Sequence, residues 1–381
     1  MKKGLTLILA LVPVAFIIGI IATILFLQLK HKQSTQSLPP QAEKGKEALT
    51  PQLGKVSNKI AFVDNGEVIV KDLGTNQEFK TGIPIRWQDQ NATWCQGFDW
   101  SPDGSKIFAA LNGGSIYDIT TQSLSQLPGF PKPISTFEWN SDSSSLFFTR
   151  PEMPSNVSGT ELYQLSDNSI RKISNYPMQK TNLTHALSYD GKKIVLSKNS
   201  GEKDQYGNPI RKVTILDLES GQEMMLVLPS NASQSNPFVM DISWSPDNDQ
   251  IAFVYTTNIV KRPPNEFYRH IGIFSTKTKT SREFSLPNSN VRNPVFAPDG
   301  KHFIFENEAG PQELWITDTN ENNAKKIADK PVDFYKSPSW LPDNNRITFS
   351  VVGKGVYTIE KTGLDKRTIS TTGSCPIASP K

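Results

Sequence analysis

The residues able to do chemistry in this chain are few and scattered. Its four histidines, His31, His185, His270 and His302, include no pair at metal-ligand spacing. Its two cysteines, Cys95 and Cys375, are too few for a zinc site or a disulfide framework. The acidic residues that recur in a pattern are Asp103, Asp142, Asp190, Asp247, Asp299 and Asp343. A calcium loop continues as Asp-x-Asp-x-Asp-Gly, and none of these does, so they read as plain turn residues. No Gly-x-Ser-x-Gly pentapeptide occurs, so the strand–turn–helix that exposes a hydrolase serine has no counterpart. The reading therefore assigns no catalytic residue, no metal ligand and no cofactor.

Those aspartates belong to a recurring phrase. It reads Phe98-Asp-Trp-Ser-Pro-Asp-Gly-Ser-Lys-Ile-Phe-Ala at its first full appearance. It returns from Ile242 to Phe253, from Pro294 to Phe305 and from Pro338 to Phe349, with weaker copies at Phe137–Phe148 and Ala186–Leu196. Pro presets φ for a tight turn, Asp bonds its own backbone, and Gly or Asn accepts positive φ. Each repeat supplies an aromatic-ending strand, the apolar run after the turn, a third strand such as Glu313-Leu-Trp-Ile-Thr-Asp318, and a short fourth. Four strands per 40–50 residues is the mark of a propeller blade.

The ends of the repeat region set the blade number. The unit at 59–80 lacks its first strand, and Cys375-Pro-Ile-Ala-Ser-Pro380 supplies a spare one. Joining them pairs two edges that would otherwise be open. The predicted fold is all-β: a seven-bladed propeller of four-stranded blades over residues 59–381, closed by the C-terminal strand.

Ahead of it, Lys2 and Lys3 precede an uncharged run, Gly4 to Leu29. As a helix it would span about 39 Å, enough to cross a hydrocarbon core of about 30 Å. No small-x-small cleavage site follows, so residues 1–32 read as a transmembrane signal anchor. The short basic N-terminal stub points to the cytoplasm and places the rest outside. Residues 33–58 are polar, without apolar periodicity, and read as a flexible linker with a reach of roughly 28 Å. Net charge is +4, but residues 1–58 hold seven Lys against two Glu, which leaves the repeats near neutrality. No basic stripe interleaved with aromatics runs through them, so nucleic acid is not an expected partner.

The phrase Trp-Ser-Pro-Asp-Gly-x-x-Ile-Ala-Phe, followed by an apolar strand ending in Asp, resembles the TolB-type propeller repeat, which also occurs in prolyl oligopeptidase-like proteins. The resemblance covers 59–381 and implies the fold. TolB carries an α/β domain ahead of a six-bladed propeller, and the peptidases carry a hydrolase domain; neither has a match in this sequence. Some TolB-like propellers resemble oligogalacturonate lyases, which bind metal through channel histidines. By that resemblance His185, ahead of a first strand, would face the channel; the plainer reading is a structural His.

Trp100, Trp139, Trp244 and Trp340 recur at one blade position and read as packing, whereas Trp87 lies in the blade 1–2 connection and is a contact candidate. Long second-to-third-strand connections occur in three adjacent blades, at 150–160, 199–211 and 256–270. Loop insertions on one face often mark a binding face. The third carries Lys261, Arg262, Phe267, Tyr268 and Arg269, residue types that anchor interfaces, with Tyr206 in the neighbouring connection. Cys95 and Cys375 precede first strands of adjacent blades, so a disulfide between them would lock the closure. Sequons occur at Asn91, Asn156, Asn182 and Asn231. The expected function is a membrane-tethered extracytoplasmic scaffold or sensor module that binds a protein or cell-envelope polymer; the alternative is a carbohydrate-active enzyme, lyase- or hydrolase-type, with its site in the central channel.

Overall fold

Each copy of the phrase folds as the inner hairpin of a four-stranded antiparallel blade. The computed structural model describes residues 58–380 apart from 86–96, 111–112, 128, 131–135, 152–159, 167–168, 177–184, 204–208, 233–238, 257–268, 285, 287–289, 310–311, 321–322, 330–337 and 352. The expected membrane segment and linker lie outside the described residues. Blade 1 begins with β1 (Lys59–Asp64), β2 (Glu67–Asp72) and β3 (Glu78–Pro84). Blade 2 is β4 (Phe98–Trp100), β5 (Lys106–Ala109), β6 (Ser115–Asp118) and β7 (Ser123–Gln126). Blade 3 is β8 (Thr136–Trp139), β9 (Ser145–Pro151), β10 (Thr160–Ser166) and β11 (Ser169–Tyr176). Blade 4 is β12 (His185–Leu187), β13 (Lys193–Lys203), β14 (Pro209–Asp217) and β15 (Glu223–Met225). Blade 5 is β16 (Val239–Trp244), β17 (Gln250–Thr256), β18 (Arg269–Ser275) and β19 (Thr280–Phe284). Blade 6 is β20 (Val291–Phe296), β21 (His302–Asn307), β22 (Glu313–Asp318) and β23 (Lys325–Asp329). Blade 7 is β24 (Ser339–Trp340), β25 (Arg346–Val351), β26 (Gly355–Glu360) and β27 (Arg367–Ser370). The last strand, β28 (Ser374–Ala378), returns to pair with β1 and completes blade 1 in the order β28-β1-β2-β3. Seven four-stranded sheets therefore close the ring by the C-terminal strand, as the repeat count requires.

The first strands of neighbouring blades approach one another, which puts them nearest the axis. The apolar run after each turn is buried on both faces, as in Ile251, Ala252, Phe253 and Val254. That is why these strands read as continuous hydrophobic runs without alternation.

The recurring tryptophans have a defined task between blades. Trp100 Nε1 donates to Ile377 O at 3.0 Å, Trp139 to Asp99 O at 3.4 Å, Trp244 to Ala186 O at 3.0 Å and Trp340 to Val295 O at 3.1 Å. Each acceptor sits one residue before the aromatic position of the preceding blade. Blades 4, 6 and 1 carry Leu187, Phe296 and Ala378 there and use the reverse bond. Their backbone N–H groups donate to Glu138 Oε2 (2.7 Å), Ser243 Oγ (3.3 Å) and Ser339 Oγ (3.3 Å) of the preceding blade. All seven seams thus carry one of two bonds at one position. A buried indole N–H needs a partner, so these Trp are structural and form no carbohydrate platform.

The turns on the other face are stitched in pairs. Asp103 N donates to Ser143 Oγ (2.9 Å), Asp190 N to Asn248 Oδ1 (3.2 Å) and Asp299 N to Asn344 Oδ1 (3.2 Å). Ser143, Asn248 and Asn344 stand at the positive-φ position of the turn, which Gly104, Gly191 and Gly300 occupy in the alternate blades. Gly191 has a second reason for its lack of a side chain: a Cβ there would overlap Asn140 Oδ1 of the preceding blade. Burial pushes the Asp103 carboxyl up, but hydrogen bonds from Ser101, Ser105 and Ser143 outweigh it and hold it below the usual range. These are the bonds of a turn, in keeping with the sequence reading.

Candidate functional site

The three long connections leave blades 3, 4 and 5 between their second and third strands. One is shorter than the sequence suggests. Residues 199–211 read as a loop, yet β13 and β14 pair on from Asn199↔Arg211 to Lys203↔Pro209 across a register shift. The extension is polar throughout, Asn199-Ser-Gly-Glu-Lys203, so it has no hydrophobic alternation to betray a strand. It forms a two-stranded ribbon: β13 has eleven residues, against four in β5 of blade 2.

Lys261, Arg262, Phe267, Tyr268, Tyr206, Trp87 and Cys95 lie outside the described residues. Arg269 is described, at the start of β18. Its guanidinium pairs with Glu308 Oε2 at 3.0 Å, with side chains only 21% and 13% exposed. The structure thus directs Arg269 across the blade 5–6 seam into an internal ion pair.

That pair is the edge of a buried polar cluster that the sequence reading did not single out. Arg292 of β20 lies 3.4 Å from Glu308 Oε1 through Nη1 and 3.9 Å from Asp241 Oδ2 through Nε. Asp241 Oδ2 also accepts from Asn293 N at 3.2 Å, joining the inner strands of blades 5 and 6. Asp241 and Asn293 both have positive φ, 49° and 48°, at bulges in β16 and β20. Asp and Asn tolerate this left-handed backbone better than other side-chain-bearing residues. Glu306 of β21 is 3% exposed, and its Oε1 has no hydrogen-bond partner. Burial pushes the Glu306 carboxyl well above the usual range; Asn293 and Arg292 oppose this incompletely, and Glu308 and Asp241 add to it. Burial also raises the Asp241 carboxyl, against the pull of Arg292. A signal existed in the sequence: Phe303-Ile-Phe-Glu306 carries a charge where the equivalent runs have Val63, Ala110, Val254 and Ser350.

Two of the histidines, His302 and His270, are held by carboxylates. His302 sits between Asp299 Oδ2 (3.1 Å) and Asp318 Oδ1 (3.0 Å). His270 is 3.1 Å from Glu283 Oε1, and its ring lies 5.7 Å from that of Tyr255. His185 opens β12, as expected of a residue beside a first strand. Among the described residues no group of three or more His, Cys, Asp or Glu is arranged to hold a metal ion. Asn231, one of the sequon residues, is engaged: its Oδ1 accepts from Tyr255 Oη (2.8 Å) and its Nδ2 donates to Glu283 (2.7 Å).

Cys375 is fully buried within β28, at φ 53°, and is disulfide-bonded. It occupies the same bulge position in its inner strand as Asp241 and Asn293, three residues before the aromatic or its replacement.

No family model matches the chain. A Bacillus subtilis protein named as the uncharacterized peptidase YuxL is 30% identical over 132 residues, which is 33% of this chain and 20% of that protein. The match thus spans only about a fifth of that relative's length. Among solved structures, an oligogalacturonate lyase in complex with manganese superposes with a TM-score of 0.57 at 15% identity, over 78% of this chain and 84% of its own. TolB from Acinetobacter baumannii is similar over 84% of this chain and 82% of its own, at 14% identity and a TM-score of 0.49. In fold the chain is a seven-bladed β-propeller of four-stranded blades.

Proposed function

We propose that this chain is a membrane-anchored, extracytoplasmic propeller that binds a protein or cell-envelope polymer through the face carrying its long connections, without catalysis of its own. The observation that carries this reading is the β13–β14 ribbon, whose pairing runs on from Asn199↔Arg211 to Lys203↔Pro209. Edges and loops held by a rigid scaffold are where binding residues concentrate. On this reading Lys261, Arg262, Phe267 and Tyr268 supply the contacts, with Tyr206 and Trp87 beside them, while Arg269 fixes the end of its connection. The uncharged run Gly4–Leu29 behind Lys2 and Lys3 supports the anchor. Cys95 is the chain's one other cysteine, and we propose it as the partner of Cys375; such a bond persists outside a reducing cytoplasm.

A second reading, a carbohydrate-active enzyme working in the channel, is favoured by the polar Asp241 and Asn293 on inner strands. The test is a variant with residues 257–268 replaced by Asn-Gly and the ribbon cut back to Asn199 and Arg211. On the proposed reading, partner binding is lost while the unfolding midpoint stays put. If binding survives and turnover of an envelope glycan disappears with Asp241→Asn, the second reading replaces it.

A further inference from the structure

The cluster at the seam of blades 5 and 6 contains three carboxyl groups, Asp241, Glu306 and Glu308, and two guanidiniums, Arg269 and Arg292. Both guanidiniums lie nearest Glu308, Arg269 at 3.0 Å and Arg292 at 3.4 Å, and Arg292 also reaches Asp241 at 3.9 Å, so two cations face three carboxyls. Gln312 Nε2 adds a further donor to Glu308 at 3.4 Å. That leaves Glu306 as the surplus charge. An ionised carboxylate is acceptor-only, and burying it with one oxygen unpartnered is among the costliest arrangements in a fold.

We propose that this seam is a proton-operated joint: Glu306 is carried as the neutral acid in the closed ring, and its ionisation loosens the contact between blades 5 and 6. With Glu306 neutral the cluster has no net charge. With Glu306 ionised it carries one uncompensated negative charge, on a residue that is 3% exposed. Among the described residues, the surrounding elements offer no further compensation. β16 brings Asp241; β17 brings no charged residue; β18 brings Arg269 and then His270, which is turned to Glu283. β20 brings Arg292, and β22 brings Glu313, tied to Lys326 at 3.2 Å, and Asp318, held by His302 of β21 at 3.0 Å. A proton held more tightly in the folded ring than in the open chain stabilises fully below the ordinary Glu range. That stabilisation is lost as pH rises through the folded value.

The experiment uses the full chain in mild detergent. Hydrogen exchange is followed by mass spectrometry from pH 5 to 9 and corrected for intrinsic rates. Opening of β16, β20 and β21 should rise by about tenfold per pH unit from the ordinary Glu range up to the folded value of Glu306 and level off above it, while β24 and β28 at the ring closure stay flat. Glu306→Gln, of equal size and without the ionisable proton, should abolish that rise. Asp241→Asn should bring the levelling-off to lower pH, because it removes a negative charge that raises Glu306 in the folded ring. Infrared spectra of the wild type should show a protonated carboxyl band at neutral pH that Glu306→Gln lacks. Equal pH profiles in wild type and Glu306→Gln, or no neutral-pH carboxyl band in the wild type, would overturn the proposal.

Discussion

Removing residues 374–381 should abolish the folded ring, because β28 is part of blade 1 and of two seams. The strand buries Cys375, Ile377 and Ala378 at 0%, 7% and 3% exposure. Burying an Ile contributes about 1.5–3 kcal/mol, and the smaller side chains add about 1–2. The strand's hydrogen bonds include Ser379 N to Lys59 O at 2.9 Å, Trp100 Nε1 to Ile377 O at 3.0 Å and Ala378 N to Ser339 Oγ at 3.3 Å, besides the ladder to β1. At about 0.5–1.5 kcal/mol each, these bring the loss to about 5–8 kcal/mol, against a typical total stability of about 5–15. The assay is guanidinium unfolding followed by tryptophan fluorescence, since the seam Trp report on the ring directly. Graded versions make the argument quantitative. Ile377→Ala should cost about 2–5 kcal/mol. Trp100→Phe should cost about 1–3, by orphaning the Ile377 carbonyl. A truncated chain that still unfolds cooperatively at the wild-type midpoint would refute the closure.

The remaining predictions concern other parts of the ring. Asn344→Ala should destabilise by about 1–3 kcal/mol, losing the Asp299 bonds and placing Ala at φ 55°, whereas Asn344→Gly should cost less; denaturant midpoints of the two separate latch from backbone. Hydrogen bonds hold Asp103, Asp190, Asp247 and Asp299 below the usual carboxylate range despite burial. Their stabilisation is present above the unfolded value of about 4 and is lost as pH falls through the folded values, so thermal midpoints should drop on acidification and the drop should shallow in Asp103→Asn. A non-reducing peptide map of protein from its own host should recover Cys95 linked to Cys375, and reduction should lower stability by about 2–4 kcal/mol. Deleting residues 1–32 should release the propeller from membranes, as read by fractionation.

Much of this fold is legible in the sequence because one constraint repeats. A strand buried on both faces and a seam bond recur seven times, and a turn aspartate six times, so each copy corroborates the others. Even the half-unit at Lys59 and the spare strand at Cys375 announce the closure. What escaped is what departs from the average. The β13 side of the ribbon, Asn199-Ser-Gly-Glu-Lys203, is polar, so no apolar period marks it. Arg269 looks like an interface anchor because its type favours interfaces, but its partner Glu308 is 39 residues away and only the fold brings them together. Glu306 was visible as a charge in an apolar run, yet its meaning depends on Asp241 and Arg292 from two other strands. Seam bonds follow the same logic: Trp340 is legible as packing, while the carbonyl it serves is not.

The most direct test of the central claim, that the long-connection face binds a partner, is a crosslinking capture from host membranes with full-length protein. It is run beside the variant lacking 257–268 and the ribbon, and the captured species is then purified and titrated against both. The account predicts saturable binding to the wild type, at least tenfold weaker in the variant, with equal unfolding midpoints. Equal affinity for both proteins would contradict it.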